Sequence, residues 1–160
     1  MQKKINLLWT GGFDSTFRLC QLSRMDNVIV QPVYFRFKTT RKNEYREIEA
    51  QAKILSLLLS RPETKATILS PIRFHEDDLP EDLETDKAYE KLTHLPGSKI
   101  PGQNKNLAKL ALVFPNIEIG REGPTLKNRQ NGLKFGNTRS WLMQQGVHFK
   151  NTSSGLALPA

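Results

Sequence analysis

The sequence holds a single cysteine, Cys20, so one chain can build neither an internal disulfide nor a four-thiolate zinc site. That usage suits a reducing compartment, and a cytoplasmic location is expected. Long apolar runs are missing as well. The apolar stretch near the start, Ile5 to Trp9, is interrupted by Asn6 and followed by Gly11 and Gly12, too short for a signal peptide or a membrane span. Acidic residues are scarce outside one segment: Glu76, Asp77, Asp78, Glu81, Asp82, Glu84 and Asp86 are seven of the sixteen, with no Lys or Arg among them. The other nine acids face 24 Lys and Arg, a local surplus of fifteen on a chain whose net charge is +8. A surface of that sign attracts nucleotides, phosphates or nucleic acid, and it leaves the fold open. What is present is ordinary: 160 residues, 38% hydrophobic and 25% charged, make one globular domain that buries roughly two-thirds of its unfolded surface.

Ile5 to Trp9 reads as a buried strand that stops at Thr10-Gly11-Gly12. The period then changes. Asp14, Ser15 and Thr16 are N-cap residue types, and Phe17 and Cys20 follow at helical spacing, which predicts a helix opening near Ser15 with Cys20 packed in the core. Val28 to Phe37 reads as a second strand, with a bulge or break at Pro32 because proline cannot donate to a ladder. Glu44 to Ser60 is the clearest helix, its predicted apolar stripe running through Tyr45, Ile48, Ala52, Leu55 and Leu59. Ala66 to Ile72 reads as a third strand, the acidic segment as a solvated loop or first helical turn, and Leu95 to Gly102 as a loop. Gln103 to Val113 reads as a helix and Ile117 to Ile119 as a fourth strand closed by Gly120. Beyond that point only a helix over Arg139 to Gln145 is legible, so the assignment is one domain over 1–160 with its α/β core in 1–120. Strands alternating with helices predict a parallel sheet covered on both faces, a three-layer α/β/α sandwich, with ligands at the carboxyl ends of the strands.

Thr10-Gly11-Gly12-Phe13-Asp14-Ser15-Thr16 sits at that edge. Its glycines let a bulky anion approach the backbone, and the helix that follows aims unpaired N–H groups and its positive dipole end at the same point. Thr10, Ser15 and Thr16 supply hydroxyl donors. Asp14 repels a naked phosphate, so it suits either a brace for the loop or a ligand to phosphate-bound magnesium. The Walker loop G-x-x-x-x-G-K-[ST] and the dinucleotide fingerprint G-x-G-x-x-G are both absent. His75, His94 and His148 lack metal-ligand spacing and read as loop or surface residues, so no zinc site is expected.

The loop resembles the S-G-G-x-D-S pattern of the PP-loop ATP pyrophosphatases, with Thr10 keeping the hydroxyl of the first serine. Leu7 to Leu19, Leu95-Pro96-Gly97-Ser98 to Leu107-Ala108, and Ile117-Glu118-Ile119-Gly120 are similar to the branch that contains 7-cyano-7-deazaguanine synthases, which covers about residues 1 to 120. The resemblance implies the adenine nucleotide α-hydrolase fold, ATP and Mg2+ as cofactors, and attachment of AMP to an unidentified small-molecule acceptor with release of pyrophosphate, as in deazapurine or nucleoside modification. It implies that Thr10, Gly11, Gly12, Asp14, Ser15 and Thr16 hold the phosphates, with Asp14 on the metal. Tyr34, Phe35 and Arg36 would meet the adenine, Gly120 and Arg121 would lie near the nucleotide, and Asp14, Ser15 and Arg139 would carry the chemistry.

The family ends in a cysteine-rich zinc knuckle, whereas here Asn151-Thr152-Ser153-Ser154 runs into Gly155-Leu156-Ala157-Leu158, and Arg139 stands where a lysine is usual. Binding of ATP with magnesium, with slow turnover to AMP and pyrophosphate or none, is therefore expected. Two other functions fit the residues: a non-catalytic nucleotide-binding or regulatory module, and a nucleic-acid-binding protein using the basic surface. No membrane partner is expected, and a homo-oligomer is among the states the sequence allows.

Overall fold

The run after Lys3 forms β1 (Lys3–Leu8), and the chain turns through Gly11 and Gly12 into α1 (Phe13–Ser23). The helix starts two residues before Ser15, so Asp14, Ser15 and Thr16 occupy its first turn and Gly12 is the N-cap. Asn27, in the left-handed region at φ 57°, leads into β2 (Val28–Arg36), followed by α2 (Glu44–Leu59). The computed structural model describes residues 1–38, 43–96, 101–121 and 141–151. Within them come β3 (Thr67–Ile68), β4 (Ile72–His75), a 3-10 turn at Glu76–Asp78, α3 (Leu83–Thr93), α4 (Gln103–Val113), β5 (Glu118–Arg121), a helical turn at 141–144 and β6 (His148–Asn151). Every strand pairing is parallel, in the order β3-β2-β1-β5-β6 with β4 also on β2.

Period-two alternation sends successive side chains to opposite faces of this sheet. Ile5, Leu7 and Trp9 with Val28 and Val30 pack beneath α1 and α2, against Leu19, Leu22 and Leu58. Leu8, Val33, Phe35, Ile117 and Ile119 point the other way, to Ala108, Leu110 and Ala111 of α4, Leu92 of α3 and Trp141 and Leu142. The molecule is an α/β fold with helices on both faces of a parallel sheet. Among the described residues, no helix is long and apolar enough to cross a membrane.

The edge of the sheet differs from the sequence reading in an informative way. β2 runs through Pro32 without a bulge, and Leu7 pairs with Pro32 in unbroken register. The break falls instead on its partner, because the expected strand at 66–72 is split. Val30 pairs with Ile68 and Val33 with Ile72, which sets three edge residues against two of β2. The Val30 carbonyl accepts from the Leu69 N–H on that edge, so Pro32, two residues on, turns its donor-less nitrogen to the same side. Gln31 closes the gap, its Nε2 donating to the Pro32 and Ser70 carbonyls at 3.0 and 2.9 Å.

Other expectations are also revised. α2 buries Gln51 and Leu58, with Ile54 and Leu55 packed against the same core, so the expected stripe holds only in part: Leu55 meets the core and Ile48 is half-buried, whereas Tyr45 and Leu59 are 69% and 54% exposed, and Ala52 is exposed too. Phe17 stacks on exposed Phe13, leaving Cys20 to pack on the core without it. Burial pushes the Cys20 thiol up, against the pull of Arg24 and Arg61. β5 does not stop at Gly120, which pairs with Lys150 of a strand that sequence periodicity did not reveal. His148 opens that strand, His75 ends β4 and His94 caps α3.

The acidic segment is a turn and a helix start. Asp82 caps α3, its Oδ2 accepting from the Thr85 N–H at 2.9 Å, while Asp86 reaches Lys109 at 3.0 Å and Lys105 at 3.5 Å on α4. The hydrogen bond from Lys109 is the main reason the Asp86 carboxyl titrates below the ordinary range. Its contribution is present above the unfolded carboxylate pKa and disappears as pH falls through the folded one. Thermal melts across the acid range are expected to show a shallower loss of stability for Asp86→Asn than for the parent, and parallel curves would refute the link.

Candidate functional site

β1 has β2 on one side and β5 on the other, so the strand order reverses at this strand and opens a crevice at its carboxyl end. The loop 10–12 leaves β1 there. Gly11 takes φ 80°, a conformation that a Cβ would strain, and a side chain at this position would also meet Gln51 Cγ at 3.3 Å. Gly12 is exposed and extended. The loop is cross-braced by hydroxyls: Ser15 Oγ accepts from the Thr10 N–H and donates to the Gly12 carbonyl, both at 3.3 Å, and lies the same distance from Thr10 Oγ1. Thr10 Oγ1 in turn accepts from the Gly12 N–H at 3.3 Å. Ser15 is thereby buried, a brace within the loop as well as a hydroxyl near its surface.

Behind the loop stand buried polar partners that composition does not reveal. The Trp9 indole N–H donates to Thr16 Oγ1 at 3.0 Å, and the Trp9 carbonyl accepts from Gln51 Nε2 at 2.9 Å. One turn earlier on α2, Glu47 Oε2 accepts from the buried Tyr34 hydroxyl at 2.6 Å. Glu47 and Gln51 share one helix face at i, i+4, the signal by which they were legible, but each is polar and so counts as outward-facing in a hydrophobic-period reading. On the β5 side, Arg18 Nε and Nη2 donate to Oε2 of nearly buried Glu118 at 3.0 and 2.8 Å. Lys150 of β6 comes within 4.0 Å of the other oxygen, so two cations share one carboxylate at the start of β5.

A methyl group at Gly120 would stand 2.6 Å from the Asp14 carbonyl oxygen and 3.1 Å from Arg18 Cβ. Gly120 is therefore where the first turn of α1 presses onto β5, and Thr10, Gly11, Gly12, Asp14, Ser15, Thr16 and Gly120 are one structural unit. Residues 34 to 36 are not. Tyr34 faces α2, Phe35 points to the opposite face and packs edge-on against Phe37 with ring centres 4.9 Å apart, and Arg36 pairs with Glu44. The strand alternation already implies this division, since successive side chains leave the sheet on opposite faces. Arg121 is the last residue of β5, and Arg139 lies outside the described residues.

The unit suits an anion. No side chain caps α1, whose N-cap is a glycine, and the first N–H groups of a helix have no partner within it. Among the described residues no three His, Cys, Asp or Glu side chains gather as a metal-binding group. No protein-family model matches the chain, and no curated protein matches it.

Proposed function

We propose that the loop 10–16 binds the phosphates of ATP with magnesium, and that the protein is an ATP pyrophosphatase transferring AMP to a small acceptor. The observation that carries this reading is the hydroxyl-braced glycine loop leading into a glycine-capped helix at the point where the strand order reverses. The uncapped N-terminus of α1 receives phosphate oxygens, with the hydroxyl-braced loop holding it in place. Asp14 is the residue for the metal, which supplies charge neutralisation at the phosphates. The adenine nucleotide α-hydrolase type of this α/β fold, and a cytoplasmic location, go with the same reading.

Mg-ATP is expected to raise the melting temperature of the parent by several degrees and to leave Gly12→Val unmoved. The substitution is otherwise mild, because Gly12 has φ −73° and ψ 168° and a Cβ there meets only Thr10 Oγ1, at 3.3 Å. An equal response in both proteins would place the ligand elsewhere. AMP and pyrophosphate formed with purine or deazapurine carboxylates, and lost in Asp14→Ala, would establish adenylation; binding without either product would make this a nucleotide-sensing module.

A further inference from the structure

The ends of α1 and α2 are tied together by backbone: the Ser23 carbonyl accepts from the Lys65 and Ala66 N–H groups at 2.7 and 3.0 Å. Between the two helices a cavity of about 260 Å³ remains. On the α2 side its wall is apolar, made of buried Leu58, half-buried Ile54 and exposed Leu57, and on the α1 side it reaches Cys20. A space of that size holds roughly eight waters, or a ligand of about ten non-hydrogen atoms.

Two cations line the same cavity from different elements. Arg24 is the C-cap of α1 and Arg61 follows Ser60, the C-cap of α2, and both are exposed. Arginines at such positions commonly serve the last carbonyls of a helix. Here hydroxyls fill that role: Ser23 Oγ donates to the Cys20 carbonyl at 2.8 Å and Thr64 Oγ1 to the Leu58 carbonyl at 2.6 Å. Neither guanidinium has a hydrogen bond or an ion pair among the described residues. Both act on one sulfur, pulling the Cys20 thiol down against its burial, so both charges bear on the cavity. Glu63 also lines it without an ion pair among the described residues, and two guanidiniums against one carboxylate leave a single positive charge to be matched. That balance sorts the ligands. An apolar wall with one surplus cation takes a monoanion with a hydrocarbon body, whereas a polyanion would set its excess charge against Glu63 and the leucines. A carboxylate matches the planar fork of a guanidinium.

We propose that this cavity binds a small monocarboxylate with an apolar body of about eight carbons, its carboxylate on Arg24 and Arg61 and its body against Ile54, Leu57 and Leu58. The site stands at the opposite end of α1 from the loop 10–16, about 15 Å along the helix from Asp14, and filling it does not require nucleotide.

Cys20 is the single cysteine of the chain, so its alkylation by N-ethylmaleimide reports on this cavity alone. A ten-atom ligand binds with a Kd of roughly 1 mM, so about 3 mM octanoate is expected to slow alkylation of the full chain about two-fold or more. Equal concentrations of 1-octanol, which lacks the charge, and of citrate, which lacks the hydrocarbon body, are expected to leave the rate unchanged. In the double variant Arg24→Gln, Arg61→Gln the octanoate effect is expected to vanish with the melting temperature unmoved; each rate is compared with and without octanoate in the same protein, so the thiol's own reactivity cancels. A parent indifferent to octanoate overturns the proposal. Equal protection by 1-octanol overturns it as well, since that marks an apolar gap with no anion site, and so does equal protection by citrate, which marks a surface charge effect. A double variant protected as well as the parent removes the two arginines from the site and overturns it too.

Discussion

Gly120→Ala is expected to lower the melting temperature by roughly 5–10 °C, which corresponds to about 2–3 kcal/mol for a domain of this size. The position is ordinary for a strand except for what stands over it. The Asp14 carbonyl oxygen would be 2.6 Å from the new carbon, and that oxygen belongs to helix backbone, which cannot turn aside as a long side chain can. Either α1 lifts from β5 or the strand bends, and both loosen the bond between Arg18 and Glu118 that crosses the same seam. Gly12→Ala is the control, since its Cβ would meet only Thr10 Oγ1, at 3.3 Å, and its melt is expected to change by less than about 2 °C. Equal melts for the two variants would show that α1 is not held against β5 at this point.

Trp9→Ala is expected to cost more, about 3–5 kcal/mol in a urea titration. The side chain is fully buried in the core beneath α1 and α2, and its removal leaves a void that neighbours close only in part. It also takes away the indole N–H that holds Thr16 Oγ1. Trp9→Phe separates the two contributions, because it keeps most of the volume and loses the donor; about 1–2 kcal/mol is expected for it. A Phe variant as unstable as the Ala variant would mean that the hydrogen bond, not the packing, fixes the end of β1.

The opening of the fold was legible because it changes period abruptly. Five residues of buried strand, two glycines and a helical spacing admit one reading, and the loop that carries the proposed chemistry lies inside it. The helix α2 was legible as a helix but only in part in its orientation. Its inward face is set by Gln51 on the Trp9 carbonyl and Glu47 on the Tyr34 hydroxyl, single hydrogen bonds that a hydrophobicity pattern scores as outward-facing. α3 was hidden by its own composition, since Leu83 is 73% exposed and charged residues fill half of the rest. β6, His-Phe-Lys-Asn, has one hydrophobic residue in four and becomes a strand only by pairing with β5. Pro32 shows the same limit in reverse: its missing donor was foreseen, but which strand would break around it depends on a neighbour that the local sequence does not name. The pairing of Arg18 with Glu118 joins residues a hundred positions apart, and no local pattern reports it.

The order of strands also sets a timetable for synthesis. β1 is made first and ends in the middle of the sheet, yet its register with β5 joins Leu7 to Glu118. A ribosome adding about 5–20 residues per second needs roughly 6–20 s to travel that distance. During that interval β1, α1 and β2 can associate, but the other side of β1 presents unpaired N–H and C=O groups and the crevice has only one wall. A nascent chain of this protein therefore carries an open sheet edge next to an unfinished loop, and it is at that stage, before Glu118 emerges, that chaperone capture or mispairing between chains on one message would act.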